Sequence, residues 1–218
     1  MYVFGKNVAR DIKEAEKAYV MKGFKDKDIL ANLNCPIVYV DKEKLDRMVD
    51  GVHQGIVLKV KEYEYCDISE LDSDVIVILD HLEDPHNFGA IIRTCEAAGI
   101  KDIIIPRDRS VSVNSTVMKT SVGCLDKVRI ASVTNIVQTI EYLKKNGYWV
   151  IGTDMDGTDY KKLDYSGKIV IVIGNEGSGM SRLVKESCDF IASIPMRGTV
   201  NSLNASVATA IILFEVIR

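Results

Sequence analysis

Three stretches of this 218-residue chain concentrate side chains and glycines that can hold and position a polar ligand. IVIGNEGSGM (171–180) and SIPMRGTVNSLNASVA (193–208) each begin at the end of an apolar β-type run and then break into Gly, Ser and Asn. An open α/β sheet binds its ligand there, in the crevice beyond the carboxyl ends of its strands. The second stretch runs into VATAIILFEVI, so its backbone N–H groups lie near a helix N-terminus, where they lack intrahelical partners. The third, DPHNFGAIIRTCEAAG (84–99), follows the apolar run VIVILD and carries Asn87 and, six residues on, Arg93. The pattern predicts a helix over Ala90–Ala98, ending at Gly99. That would place Arg93 in the first turns, where the helix dipole disfavours a cation, and points to an arginine kept for function.

The glycines exclude one familiar ligand. Gly174, Gly177 and Gly179 read G-x-x-G-x-G, not the G-x-G-x-x-G of a dinucleotide-binding turn. Glu176 inside that turn would repel a pyrophosphate. A polar but unphosphorylated ligand is therefore expected, and a nucleotide-dependent oxidoreductase is disfavoured. Tight backbone geometry alone also accounts for Gly174 and Gly179. The five cysteines (35, 66, 95, 124, 188) are odd in number and include no CxxC pair, so neither a zinc site nor a disulfide framework is expected. His86 beside Asn87 offers a base in principle; it reads more simply as a loop residue or phosphate contact. His81 reads as a strand-end residue, and His53 belongs to VHQG.

The surrounding pattern must position these stretches. Up to about residue 66 the chain reads as a small α/β unit. Helices are predicted at 6–18, 25–34 and 42–49, and strands at 18–23, 36–40 and 55–63. CDISELDSD (66–74) is polar and acidic and reads as a linker over 67–74. From Val75, strands alternate with helices. VIVILD, DIIIP, VRIASV, YWVIGTD, KIVIVIG and FIASIPM are strands. Helices are predicted at 114–122, 136–147, around 181–188, and at the C-terminus. This order predicts a parallel sheet with helices on both faces. Hydrophobic content of 47% and charged content of 27% fit a globular chain, and no apolar run is long enough to span a bilayer. The N-terminus lacks the apolar block of a signal peptide, so a cytoplasmic location is expected. A net charge of −3 leaves any nucleic-acid footprint to local patches, for which Arg93, Arg107, Arg109, Lys119 and Arg197 are the candidates.

Taken in order, the three stretches resemble the motifs of the SpoU (TrmH-like) family of RNA ribose 2′-O-methyltransferases. The matching residues are Asn87-x-Gly89-x-x-x-Arg93, then Gly174-x-Glu176-Gly177-x-Gly179, then Ile194-Pro195-Met196 through Asn201-Ser202-Leu203-Asn204-Ala205-Ser206. The likeness covers 75–218. The N-terminal third resembles the small substrate-binding domain of the subgroup that methylates a guanosine in 23S rRNA, with VHQGIVLKV (52–60) its best match. The resemblance implies an α/β parallel-sheet domain with a C-terminal trefoil knot, an exception to the rule against knotted chains. It further implies S-adenosylmethionine as cofactor, an RNA partner, a homodimer, no metal and no membrane. On it, the backbone at Gly174, Ile194 and Leu203 binds the adenosyl part, with Ile173, Gly177 and Met196 beside it and Gly152 and Thr153 walling the pocket. Asn87, Glu176, Ser202 and Asn204 shape the site, and Arg93 is the catalytic arginine. The same reaction on tRNA or on an rRNA adenosine, and a catalytically idle RNA-binding module, are the alternatives.

Overall fold

Apolar strands build two sheets, one in each compact unit of the chain: β-type runs that alternate in part in the first, and continuous runs buried on both faces in the second. The computed structural model describes residues 1–12 and 14–218. One unit comprises Met1–Glu64 with Val113–Gly123, the other Tyr65–Ser112 with Cys124–Arg218.

In the first unit, β1 (Tyr2–Phe4), β2 (Lys17–Met21), β3 (Ile37–Val40) and β4 (Ile56–Lys59) pair in the order β1-β4-β2-β3. Only β2 and β3 run parallel. Val3, Ala18, Val20, Ile56 and Leu58 pack with Val8 and Ala9 of α1 (Lys6–Asp11) and Ile29 of α2 (Lys27–Ala31). Val57 and Val40 pack instead with Leu45 of α3 (Lys42–Met48). Successive residues of a strand thus feed opposite layers. β1 was not anticipated; three residues are too few to display a period. The helix predicted over 6–18 ends at Asp11, and β2 begins at Lys17; that prediction also spans Lys13, which lies outside the described residues. The helix α5 (Ser115–Thr120), capped by the Asn114 side chain, belongs to this unit, with Met118 packed against the cluster of Val8 and Ile29.

In the second unit, β5 (Val75–Leu79), β6 (Asp102–Pro106), β7 (Arg129–Val133), β8 (Tyr148–Asp159), β9 (Lys168–Ile173) and β10 (Phe190–Ser193) form an all-parallel sheet in the order β10-β8-β9-β5-β6-β7. The chain steps from β5 to β6 to β7, then crosses back to β8. Right-handed crossovers therefore put α4 (Pro85–Ala97) and α6 (Ile136–Lys145) on opposite faces. Ile136, Ile140 and Leu143 of α6 pack with Ile76, Ile78, Ile104, Val150, Val170 and Val172, joined by Val184 of α7 (Arg182–Ser187). α4 packs against the C-terminal helix α8 (Ala205–Val216). The connections leave β5 and β9 in opposite directions, which makes the gap between their carboxyl ends the switch point where such sheets bind ligands.

The acidic stretch expected as a linker is ordered. Asp67 and Glu70 close a capping box around a short 3₁₀ turn, and Cys66 bridges to Ala131. The Asp102 carboxylate, fully buried, accepts the N–H groups of Asp72 and Ser73 and both Nε and Nη2 of Arg129. Arg129 also bonds Asp72, and these carboxylates hold its guanidinium pKa above the usual arginine value. Ion pairing thus docks a segment that hydropathy alone reads as loose. No helix among the described residues is long and apolar enough to cross a membrane.

Candidate active site at the carboxyl ends of the central strands

β5 ends at Leu79 and is followed by Asp80 and His81, and the chain then enters α4 through Asp84, whose side chain accepts the His86 N–H. Pro85 occupies the first helical turn, where its missing N–H costs nothing. α4 therefore starts five residues before the expected Ala90. This corrects the placement of Arg93: it lies in the helix middle, where the dipole exerts little force, and is exposed. Six residues along a helix turn by about 240° and rise by about 9 Å, so Arg93 does not share a face with Asn87. Asn87, in the first turn, is 7% exposed.

After β9 the chain makes a tight loop. Asn175 N–H donates to Gly179 O and Gly179 N–H returns the bond to Asn175 O, both at 3.0 Å. The Asn175 side chain accepts the Gly177 N–H at 2.8 Å and donates to His81 O at 2.7 Å. Asp80, 1% exposed, accepts the Ser181 N–H at 2.7 Å and meets His81 Nδ1 at 2.6 Å. Asp80, His81 and Asn175 thus fasten both ends of the loop that carries Glu176 to the end of β5. Sequence reasoning missed this set. Its one visible signal is a carboxylate closing an otherwise apolar strand.

The three motifs meet through side-chain amides. Asn87 Nδ2 donates to Glu176 Oε1, and Asn204 Nδ2 donates to Asn87 Oδ1, each at 2.9 Å. Asn204 Oδ1 in turn caps α8, accepting the Ser206 N–H at 2.9 Å. A carboxylate only accepts hydrogen bonds, so Glu176 fixes the flip of Asn87, and Asn87 fixes that of Asn204. The chain of dipoles links the Glu176 charge to the positive end of α8.

The other sequence candidates fall into two groups. Ile194, Met196, Ser202 and Leu203 lie in the loop from β10 to α8, Met196 and Ser202 exposed, Ile194 and Leu203 half-buried. No backbone–backbone hydrogen bond involves 194–203 among the described residues, so those amides and carbonyls are open to a ligand. Ile173 is buried, Gly177 exposed. Gly152 and Thr153 have roles inside the unit. A Cβ at Gly152 would lie 2.6–2.9 Å from Met180 and Cys188 side-chain atoms, so the glycine admits that packing. Thr153 Oγ1 donates to Val172 O at 3.0 Å, tying β8 to β9. Burial pushes the Cys188 thiol up to about 12, so it stays protonated and inert. His86 is exposed, and His53 is structural: its Nδ1 accepts the Gly55 N–H while Nε2 bonds Asp46. No group of acidic, His and Cys side chains fit to hold a metal occurs among the described residues.

Asn87→Asp is expected to be worse than its near-identical shape suggests. It removes the amide donor and sets a second carboxylate against Glu176. Thermal unfolding at pH 7.5 should show a lower Tm. The loss should shrink toward pH 5, because the introduced carboxyl escapes repulsion by taking up a proton in the folded state. A Tm deficit independent of pH would refute the contact.

The geometry is that of a doubly wound parallel sheet whose three loop motifs converge at its switch point, with a carboxylate among them. Residues 74–214 match the model of the SpoU rRNA methylase family, and residues 7–66 match that for RNA 2′-O ribose methyltransferase substrate binding. The chain belongs to the SpoU family and is an RNA ribose 2′-O-methyltransferase. It is 42% identical to YacO of Bacillus subtilis, a protein assigned to the TrmH family of tRNA/rRNA methyltransferases, over 100% of this chain and 95% of that one. A Staphylococcus saprophyticus protein of the same assignment is 48% identical over 87% of this chain and 80% of its own. The fold is similar to that of the SpoU methyltransferase AviRb from Streptomyces viridochromogenes, whose crystal structure holds AdoMet. The TM-score is 0.80 at 22% identity, with 100% of this chain and 89% of that one covered.

Proposed function

We propose that this enzyme methylates a ribose 2′-hydroxyl of a guanosine in 23S rRNA with S-adenosylmethionine as the methyl donor, acting in the cytoplasm as a homodimer with a knotted C-terminal end. The observation that carries the reading is the Asn204–Asn87–Glu176 chain, which couples all three motifs at one crevice. The lining suits the donor. The loops 174–181 and 194–204 offer open backbone groups and one carboxylate, with Arg197 their single basic residue, as fits a cationic ligand without phosphate. When bound, S-adenosylmethionine supplies a methyl group already activated by its sulfonium.

The chain's own residues then have three tasks. Gly174, Ile194 and Leu203 hold the adenosyl part by backbone, flanked by Ile173, Gly177 and Met196. Asn87, Glu176, Ser202 and Asn204 keep the two loops in register, which serves alignment of the reacting atoms. Arg93 meets a substrate phosphate and the target ribose. An arginine side chain holds its proton too tightly to be a good base. It therefore stabilises the developing alkoxide while a phosphate or water takes the proton. Methylation mapping of total RNA from cells lacking the gene tests the reading. Loss of one 2′-O-methylguanosine in 23S rRNA is expected; a lost mark in tRNA, or on an adenosine, would select the alternative instead.

The dimer is supported by apolar surface in the second unit. Trp149 and Phe190 pack with ring centroids 5.8 Å apart and planes tilted by 46° while remaining 55% and 45% exposed, and Phe214 of α8 is 52% exposed. Exposed aromatic clusters of this kind mark interfaces. Light scattering at micromolar concentration should give twice 24.2 kDa, and Trp149→Asp should shift it toward monomer. A wild-type protein that runs only as monomer would refute the dimer.

A further inference from the structure

We propose that Arg109, with Arg107, forms a phosphate-binding edge beside the crevice and holds the backbone of the RNA substrate; the inference rests on the RNA reading above. β6 ends at Pro106, next to β5 in the sheet, and Arg107, Asp108 and Arg109 follow, all exposed. The segment is not loose. Arg107 N–H donates to Val133 O at 2.8 Å, Val111 N–H donates to Leu82 O at 2.7 Å, and Ser110 Oγ donates to the same carbonyl at 3.1 Å. Leu82 lies between the end of β5 and α4, so the Ser110 and Val111 bonds fasten the segment just after Arg109 to the loop that leads to Asn87, while the Arg107 bond ties its start to the end of β7.

The backbone of Arg109 is the second observation. Its φ is +51°, a left-handed conformation that costs an L-residue free energy and that glycine adopts freely. Arg109 makes no ion pair among the described residues, and neither do Arg107 and Arg93, whereas Arg129 and Arg182 do. A strained position that keeps a solvated arginine where glycine would serve the backbone better points to a partner outside the chain. The exposed acidic neighbours are Asp108 and Glu83, while the Asp84 carboxylate is occupied in capping α4. Two guanidinium groups facing solvent beside a crevice for a ribose suit successive phosphates, which arginine binds through paired N–H donors.

Arg109→Gly in the full chain separates function from folding. It relieves the backbone, so Tm should be unchanged or higher, and S-adenosylhomocysteine affinity should be unchanged. Binding of unmodified 23S rRNA and tRNA transcripts, followed by fluorescence anisotropy between 50 and 200 mM KCl, should weaken about three- to tenfold. The slope of log K against log salt should fall by about 0.7–0.9, the value for one lost phosphate contact. Arg109→Lys should keep the slope, and Arg107→Ala with Arg109→Gly should lose about twice as much. Wild-type binding with an unaltered Arg109→Gly slope would overturn this inference alone. Wild-type protein that bound neither RNA would overturn the RNA reading and this inference with it.

Discussion

Replacing Gly174 with valine is expected to abolish S-adenosylhomocysteine binding and to lower Tm. A Cβ at this position would lie 2.4 Å from Gly179 C and Met180 N and 2.9 Å from Gly179 Cα. All three are backbone atoms, so no flexible side chain can swing aside. The loop is closed there by the paired bonds between Asn175 and Gly179, and opening it displaces Glu176 from Asn87. The glycine is thus required by the approach of its own chain, a more specific reason than room for a ligand. Forced backbone shifts cost about 1–3 kcal/mol, or roughly 2–4 °C of Tm per kcal/mol for a chain of this length. Gly177→Ala is the contrasting control. Its Cβ would meet only Asn175 Oδ1, at 3.6 Å, and Tm should hardly move. Calorimetric titration to millimolar ligand decides the matter. A folded Gly174→Val protein with wild-type affinity would refute both the loop geometry and the assignment of the cofactor to it.

Arg93→Ala should leave S-adenosylmethionine affinity nearly unchanged and slow methyl transfer by at least ~10²-fold, the low end for losing a positioned charge-stabilising group. Arg93 is exposed, carries no ion pair among the described residues, and stands apart from the amide chain that couples the loops. Its removal should therefore spare both the fold and the cofactor loops. Arg93→Lys should also be poor, because a point charge cannot reproduce the planar, two-pronged contact to phosphate and ribose. Single-turnover methylation of rRNA fragments at saturating cofactor measures the rate directly. A rate within about threefold of wild type, far below the effect of a catalytic group, would remove Arg93 from the mechanism. His86, exposed in the first turn of α4, would then return as the candidate base.

Much of this molecule is written in local pattern. The runs VIVIL, DIIIP and KIVIVI are apolar enough to be read as buried parallel strands, and each is found as one. Gly-, Ser- and Asn-rich breaks after β9 and β10 mark the ends where ligand loops occur. The start of α4 was also legible, since an Asp followed by Pro is a cap and a first helical residue. Reading the helix from Ala90 gave weight to apolar periodicity and too little to that pair.

What only the tertiary structure decided is every contact between residues far apart in sequence. The bonds Asn87–Glu176 and Asn204–Asn87 span 89 and 117 positions, and Asp80–Ser181 spans 101. No periodicity encodes such pairs; they exist because parallel strands bring distant carboxyl ends side by side. The same holds for the acidic stretch docked by Arg129, and for α5, which is grouped with the first unit although it follows β6. Local propensity selects helix, strand or break within a few residues. Which polar group satisfies which is settled only when the sheet order is set, because a buried donor takes the acceptor that folding brings within reach.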